Sequence, residues 1–216
     1  FALPVLFAIT LHEAAHGYVA DLLGDDTARR LGRISLNPLR HVDLFGTVLL
    51  PAMLLLARAP FLFGYAKPVP VNFRRLRRPR RDMVWVALAG PAMNLALALA
   101  AAFLYHAVDW LPDGVAVWAA ENLKNSILLN VMLAVFNMLP IPPLDGGRVA
   151  VGLLPAPFAM RLARLERIGV FIVLGVLVAL PWVGRWIGLD LDVSRWLIGV
   201  PVMAIIELIV GIAGLD

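Results

Sequence analysis

The 216-residue chain contains no cysteine and little charge. The absence of cysteine excludes disulfides, thiolate metal ligands and a cysteine nucleophile. Charged residues make up 16% of the chain against about 25% in soluble domains, and apolar residues 61% against about 45–50%. The mean hydropathy is +0.84. This composition predicts an integral membrane protein. It excludes a disordered chain, a soluble dinucleotide-binding enzyme and a nucleic-acid-binding domain, despite a pI near 10.1.

Six apolar stretches are long enough to matter, since a helix that spans a bilayer needs about 20 residues. They lie at 1–23, 44–65, 83–105, 117–139, 168–187 and 196–215. No repeat or long polar linker separates them. We therefore expect one all-α polytopic domain over residues 1–216, with about five spanning helices.

Arginine-rich loops predict how the chain is oriented. Segments 25–43 and 66–82 both carry clusters of arginine, which favours the cytoplasm for each of them. They flank the apolar stretch 44–65, so that stretch cannot simply cross the membrane. It also contains Pro51 and Pro60, which disfavour an unbroken helix. We predict a re-entrant hairpin or broken helix at 44–65, covered by protein at membrane depth.

The remaining loops then alternate across the membrane. Loops 106–116 and 188–195 are predicted outside, and the arginine-bearing loop 140–167 is predicted in the cytoplasm. The first helix therefore runs from outside to inside. If the native N-terminus is cytoplasmic, a further spanning helix is expected upstream of Phe1.

The sequence His12-Glu13-Ala14-Ala15-His16 lies inside the first apolar stretch. Residues i and i+4 share one face of a helix, so His12 and His16 can bind the same metal ion. Glu13 lies near enough to polarise a water and carry its proton. The alternative is a pair of amphipathic histidines at a helix end, paired with a carboxylate. Three ionisable groups in one turn of a bilayer helix are costly and usually functional, which favours the metal site.

A catalytic zinc needs a third protein ligand and a fourth position for water. Asp145 follows three prolines and precedes Gly146 and Gly147, so its carboxylate can be presented on an unwound segment. The alternative is a plain turn, with Asp145 as a helix N-cap. Because the histidine pair still lacks a ligand, we favour Asp145 over His41 and His106, which lie in loops on opposite sides.

Three motifs now carry a resemblance to a known family. They are His12-Glu13-x-x-His16, Gly90-Pro91-Ala92-Met93-Asn94 and Asn137…Pro140…Pro143-Leu144-Asp145-Gly146. Their order and spacing over roughly residues 1–150 resemble the site-2 protease family of intramembrane zinc metalloproteases. Stretches 31–38 and 64–72 are similar to the compact prokaryotic branch of that family, which lacks a PDZ domain.

The resemblance implies that His12, His16 and Asp145 bind one Zn²⁺ per chain and that Glu13 is the general base. It also implies a catalytic core at about 1–150. Residues 151–216 would then add two further spanning helices.

Two asparagines and two short segments complete the expected site. The resemblance places Asn137 near the zinc, where its amide would stabilise an oxyanion; an interhelical hydrogen bond is the alternative. Asn94 is expected to act in helix packing or, as the second alternative, in substrate binding. Segments 34–36 and 68–71 are predicted as short strands near the active site. One of them would bind an unwound substrate at its edge, unless both are plain connectors.

The expected function is zinc-dependent cleavage inside the transmembrane segment of single-pass membrane proteins, as in regulated intramembrane proteolysis. The partners are that substrate and the lipid bilayer of a prokaryotic cell, with no nucleic acid. His16 lies about 12 Å from a helix end at Gly24, which puts the site nearer the cytoplasm. The alternative is a non-catalytic membrane metal-binding protein or a metal transporter. A metal relay, however, does not need Glu13 between the histidines.

Overall fold

The computed structural model describes residues 2–56, 67–189 and 191–215. In these ranges the chain is mainly α-helical. The helices are α1 (Ala2–Leu22), α2 (Thr27–Arg30), α3 (Leu50–Leu56), α4 (Pro79–Tyr105), α5 (Asp113–Asn137), α6 (Asp145–Leu153), α7 (Ala156–Arg164), α8 (Gly169–Leu174), α9 (Leu180–Ile187) and α10 (Val200–Ala213). Short 3₁₀ turns occupy Pro38–Arg40, Phe73–Arg75, Val108–Trp110 and Leu165–Arg167, and π-helical turns occupy Leu44–Leu49, Gly175–Ala179 and Arg195–Gly199.

Helix α4 lies at the centre of the packing, in contact with α1, α5, α6 and α10. Its fully buried Ala98 and Ala102 are small enough for neighbouring backbones to approach closely. Ile127 and Val131 of α5 and Ile209 of α10 fill the same apolar cluster. Because α4 contacts both α1 and α6, it holds together the two sequence regions that carry the motifs.

Two helical segments in the described ranges are long and apolar enough to cross a membrane. They are Pro79–Tyr105 and Arg195–Ala213. A third crossing results if Ala156–Arg167 and Gly169–Gly184, which meet at an angle of 81°, form one broken span. The described residues thus support two or three spans, and the predicted number of about five is not confirmed.

The supported number of spans is lower than the predicted number because two long helices carry polar residues. Helices α1 and α5 have 21 and 25 residues, which is enough to cross a bilayer. Helix α1 contains His12, Glu13 and His16, however, and α5 contains Glu121 and Lys124. These side chains lower the apolar content of both helices.

The two ends of the stretch predicted to be re-entrant meet in space. The N–H of Lys67 donates to the carbonyl of His41 over 2.9 Å. Nearby, the Arg75 guanidinium lies 2.9 Å from the Asp26 carboxylate. The two arginine-rich segments therefore lie at the same end of the molecule, and their cytoplasmic location stays a prediction. Residues 57–66 lie outside the described ranges, so the re-entrant course of 44–65 stays a prediction.

The two short strands predicted near the site are not confirmed in the described ranges. Segments 34–36 and 68–71 are free of helix, but neither pairs in a sheet. Pro68 and Pro70 have no backbone N–H, and the N–H of Val69 donates to the Glu13 carboxylate over 2.7 Å. Three of the four residues of the second segment therefore have no backbone N–H available to a strand edge.

Candidate metal centre

Helix α1 presents two buried imidazoles one turn apart. The rings of His12 and His16 are nearly perpendicular, with centroids 4.7 Å apart, and their Nε2 atoms are separated by 3.0 Å. Ala14 and Ala15 between them are strong helix formers, so the helix continues through the motif. The four-residue spacing of the two histidines therefore brings their Nε2 atoms close enough to bind one metal ion.

The carboxylate of Asp145 reaches the same point from another part of the chain. Three prolines separate α5 from α6, and Asp145 is the first residue of α6. Its Oδ2 lies 3.2 Å from Nε2 of His12 and 3.3 Å from Nε2 of His16. The next residue must be glycine, because a Cβ on Gly146 would overlap the main chain of Met138.

The hydrogen bonds behind the two rings show which atoms face the centre as acceptors. Nδ1 of His16 lies 2.6 Å from the carbonyl oxygen of Val86, which can only accept, so Nδ1 carries the hydrogen. Nδ1 of His12 lies 2.6 Å from Oδ1 of Asn94. In the neutral form of each ring, Nε2 is then a lone-pair acceptor. Oδ2 of Asp145 is also buried and has no hydrogen-bond donor among the described residues.

Three acceptor atoms that converge without a hydrogen between them fit a cation. A tetrahedral zinc with bonds of about 2.0–2.1 Å holds its ligand atoms about 3.3 Å apart, close to the separations found here. Within the described ranges, His12, His16 and Asp145 form the one group of three side chains close enough to share a metal ion. Two imidazoles and one carboxylate match a catalytic zinc site, which keeps its fourth position open.

Helix α4 closes the centre on one side through Gly90. A Cβ at this position would lie 2.5 Å from the Nε2 atoms of both His12 and His16. Only a residue without a side chain allows the helix backbone to lie against the two ligand atoms. The Gly-Pro-x-x-Asn motif therefore brings the backbone of α4 close to the candidate metal centre itself.

Glu13 is held beside the centre by residues 67–72, which we call the 67–72 segment. Its Oε2 accepts the backbone N–H of Val69 over 2.7 Å. The segment packs directly on α1, since a Cβ on Gly17 would lie 2.8 Å from Cγ1 of Val69. The glutamate is only partly buried, so water can reach it.

The 67–72 segment is fixed at both ends. The Arg33 guanidinium donates to the carbonyl of Lys67 over 2.9 Å. At the other end, the N–H of Asn72 donates to Asp25 over 2.6 Å. Asp25 is fully buried, and its other oxygen accepts the N–H and hydroxyl of Thr27. These hydrogen bonds hold the segment in place beside Glu13.

A cavity of about 420 Å³ opens onto these groups. Besides the three candidate ligands, Glu13 and Asn137, it is lined by Pro68, Val69, Pro70, Val71, Phe73, Val86, Ala87, Pro143, Leu144 and Arg148. Its walls combine apolar side chains with a few polar groups. That composition is typical of ligand-binding cavities.

Asn137 lines the cavity at the last turn of α5. Its amide Nδ2 donates to the carbonyl of Leu133 over 3.0 Å. An amide carries two N–H donors, so this bond uses one of them. The structure therefore brings Asn137 to the cavity that contains the candidate metal centre.

Asn94 lies behind the centre rather than in the cavity. It is fully buried, and its amide is bonded to His12, to Asn130 and to the carbonyl of Ala8. A side chain enclosed in this way has no surface for a substrate, so the suggested substrate contact does not fit the geometry. The other role expected for Asn94, in helix packing, agrees with this burial. Asn94 also makes a hydrogen bond to His12.

The other histidines considered as ligands lie elsewhere. His41 has its Nε2 2.8 Å from the carbonyl of Ser35, and His106 has its Nε2 2.7 Å from the carbonyl of Ala213. The ring of His41 is thus bonded to a main-chain oxygen of a loop, and the ring of His106 to the main-chain oxygen of the last residue of α10.

Sequence reasoning missed several contributions to the site. Among them are the Val86 carbonyl, the Val69 N–H and the buried amide of Asn130. The first two are backbone groups, which no side-chain pattern can indicate. Arg148, one turn after Asp145, was also missed; its guanidinium lies 5.4 Å from the centre of the Phe73 ring.

Buried histidine and carboxylate ligands with a glutamate beside them have the composition of a catalytic zinc centre in a membrane protein. Comparison with known proteins agrees. The model of "Peptidase family M50" matches residues 113–180, a range that contains Asp145. "Putative zinc metalloprotease YwhC" of Bacillus subtilis is 40% identical over 188 residues, covering 83% of this chain and 80% of that protein.

A second relative, "Putative zinc metalloprotease Rip2" of Mycolicibacterium smegmatis, is 30% identical over 181 residues, covering 84% of this chain and 67% of that protein. No solved structure matches the chain significantly. The chain belongs to peptidase family M50, the site-2 protease family. It is a zinc metalloprotease and a membrane protein, and the non-catalytic alternative is not supported.

Proposed function

We propose that the protein cleaves single-pass membrane proteins inside their transmembrane segments, in a regulated intramembrane proteolysis step. His12, His16 and Asp145 are the zinc ligands in this proposal, and Glu13 is the general base. The observation that carries it is the convergence of three buried acceptor atoms within 3.0–3.3 Å of one another. A cation shared by these three atoms accounts for their close approach without a donor between them.

Zinc supplies Lewis acidity, which polarises a carbonyl and makes water nucleophilic near neutral pH. Glu13 takes the proton from the attacking water and delivers it to the leaving amine. Its Oε2 is engaged by Val69, so we assign the proton transfer to Oε1. The bond from Val69 keeps the carboxylate at the cavity during both transfers.

Asn137 stabilises the charge that develops on the substrate oxygen. A neutral amide donor in an apolar cavity is effective because little water competes with it. Leu133 occupies one of its N–H groups, and the second is directed to the substrate in this proposal. Such a donor strengthens its bond only as the oxygen becomes negative.

The 67–72 segment is the better candidate for contacting the substrate chain. It lines the cavity, whereas Ile34 and Leu36 line a separate apolar groove beside α1 and α4. Since its prolines have no N–H and Glu13 uses the N–H of Val69, the segment offers mainly carbonyl acceptors. The substrate must therefore contribute N–H donors, which requires its helix to be unwound locally.

The site lies toward the arginine-rich end of the molecule. Helix α1 ends at Leu22, six residues after His16, which corresponds to about 9 Å of helix. The arginines of segments 25–43 and 66–82 cluster at that end, and such clusters favour the cytoplasm. We infer that the chain crosses the membrane several times and that water reaches the site from the cytoplasmic side.

The test is cleavage of a single-pass membrane protein by the purified, zinc-loaded chain in detergent or liposomes. Products are identified by mass spectrometry so that the cleaved bond is located. Replacing Glu13 by Gln is expected to lower kcat by about 10²–10⁴-fold, because the general base is lost. Zinc content should not change.

The matched control is Glu121→Gln, the same substitution at an exposed position of α5. It is expected to retain the wild-type rate. Equal rates for Glu13→Gln and wild type would contradict the assigned base. Cuts that map only outside the transmembrane segment would contradict intramembrane cleavage.

A further inference from the structure

Two buried amides connect α5 to the imidazole of His12 on α1. Asn94 of α4 is fully buried, and Asn130 of α5 is only 1% exposed. Nδ2 of Asn94 donates to Oδ1 of Asn130 over 2.8 Å, and Nδ2 of Asn130 donates to the carbonyl of Ser126 over 2.8 Å. Buried amides in apolar surroundings are costly unless they are hydrogen-bonded, and here each amide is bonded on both sides.

One orientation of the two amides satisfies these groups together. The Ser126 carbonyl can only accept, so Asn130 turns its NH₂ toward it and its oxygen toward Asn94. The NH₂ of Asn94 then lies between two acceptors, the Asn130 oxygen and the carbonyl of Ala8 at 3.3 Å. The remaining atom, Oδ1 of Asn94, faces Nδ1 of His12 as an acceptor.

This direction determines which nitrogen of His12 carries the hydrogen. With the hydrogen on Nδ1, the lone pair stays on Nε2, the atom that faces Asp145. His16 reaches the same state by donating to the backbone carbonyl of Val86. A backbone carbonyl cannot exchange a donor for an acceptor, whereas the amide of Asn94 can do so by turning over. A group that stops the amide of Asn94 from turning over is therefore needed to keep the tautomer of His12.

We propose that Asn130 is a positioning residue of the zinc site. It locks the amide of Asn94 and, through it, the orientation and tautomer of His12, two hydrogen bonds away. The proposal rests on the role of His12 as a zinc ligand in the proposed function. Without Asn130, only the longer bond to the carbonyl of Ala8 (3.3 Å) still orients the amide of Asn94. The amide can then turn its NH₂ toward His12, and the hydrogen of the ring occupies Nε2.

The test is the zinc affinity of the 216-residue chain in detergent, measured by competition with a chelating fluorophore. Asn130→Leu removes the amide at similar volume and is expected to weaken zinc binding about 10-fold or more, as loss of a group behind a ligand does. Asn130→Asp keeps an oxygen that accepts from Asn94. This conservative variant is expected to bind within a few-fold of wild type.

The matched control is Asn122→Leu, about two turns earlier on α5. Asn122 makes the same bond to the carbonyl four residues before it, Nδ2 to Trp118 over 2.9 Å, but it has no contact with Asn94. It is expected to bind zinc as wild type does. If Asn130→Leu does not fold, Asn130→Ala decides by the same titration, since it adds no apolar bulk.

A second measurement separates positioning from a purely structural role. Zinc should raise the thermal midpoint of the wild-type chain, and this rise should be smaller in Asn130→Leu because it depends on affinity. A lower midpoint of the zinc-free protein with an unchanged zinc-induced rise would overturn the proposal. So would a zinc affinity of Asn130→Leu within twofold of wild type.

His12→Ala distinguishes this proposal from the proposed function. If wild type binds zinc and His12→Ala does not, the ligand assignment holds, and the Asn130 variants test the positioning role alone. If His12→Ala binds zinc as wild type does, the proposed site fails, and the role of Asn130 fails with it.

Discussion

Gly90 offers the sharpest perturbation of the metal centre, because the expected effects of its replacement have opposite signs. Alanine in a helix interior is favoured over glycine by about 1 kcal/mol, so helix propensity alone predicts a more stable protein with unchanged zinc binding. The geometry predicts the opposite for zinc. A Cβ at position 90 would lie 2.5 Å from the Nε2 atoms of His12 and His16.

The magnitude follows from that distance. Ordinary van der Waals contact begins at 3.4 Å, so the rings or the helix must move apart by about 0.9 Å. A metal site tolerates only about 0.2 Å in its ligand distances. Two of the three ligands are affected together. We therefore expect Gly90→Ala to weaken zinc binding by about 100-fold or more, beyond the effect of removing a group behind a ligand.

The assay is zinc competition on Gly90→Ala and on the matched control Gly114→Ala. Gly114 lies on α5 with nothing within 4 Å of an added Cβ, so only helix propensity changes there. The control is expected to bind zinc normally. Thermal unfolding of the zinc-free proteins shows whether Gly90→Ala is folded. A folded Gly90→Ala with wild-type affinity for zinc would refute the placement of α4 against the ligands.

Two further substitutions test the cavity. Val69→Pro removes the N–H that holds Glu13 and is expected to lower the cleavage rate about 10-fold with zinc affinity unchanged. Val69→Ala keeps the N–H and should keep the wild-type rate. Equal cleavage rates for the two variants would argue against a role for this hydrogen bond. Asn137→Ala is expected to lower kcat by about 10²–10³-fold with little change in KM, because the donor acts on the transition state; a change confined to KM, measured by initial rates, would assign Asn137 to substrate binding instead.

The residues that sequence reasoning found are those whose chemistry follows from local spacing. His12 and His16 are four apart on a helix, and Asp145 stands at a proline- and glycine-rich turn, where helices cannot continue. Their meeting point could be expected from ligand chemistry, since two imidazoles need a third ligand. The apolar stretches likewise predicted where helices form, because burial in a bilayer requires long apolar runs.

The remaining features depend on contacts between distant segments. The hydrogen bond from Val69 to Glu13 forms because the 67–72 segment packs on α1 at Gly17. The link from Asn130 to His12 requires α4 and α5 to lie side by side with one amide aligned on the other. A strand was predicted at 68–71 from its prolines, but the backbone N–H of Val69 is bonded to the side chain of Glu13. Such pairings leave no periodic pattern in the sequence.

The measurement that tests the central claim most directly is X-ray absorption at the zinc edge of the purified, zinc-loaded chain, compared with Asp145→Ala. The account predicts one zinc per chain, with two imidazoles and an oxygen ligand at about 2.0–2.1 Å. It also predicts that Asp145→Ala loses most of the bound zinc. A zinc shell without imidazole, or a shell and affinity unchanged in Asp145→Ala, would contradict a site built from His12, His16 and Asp145.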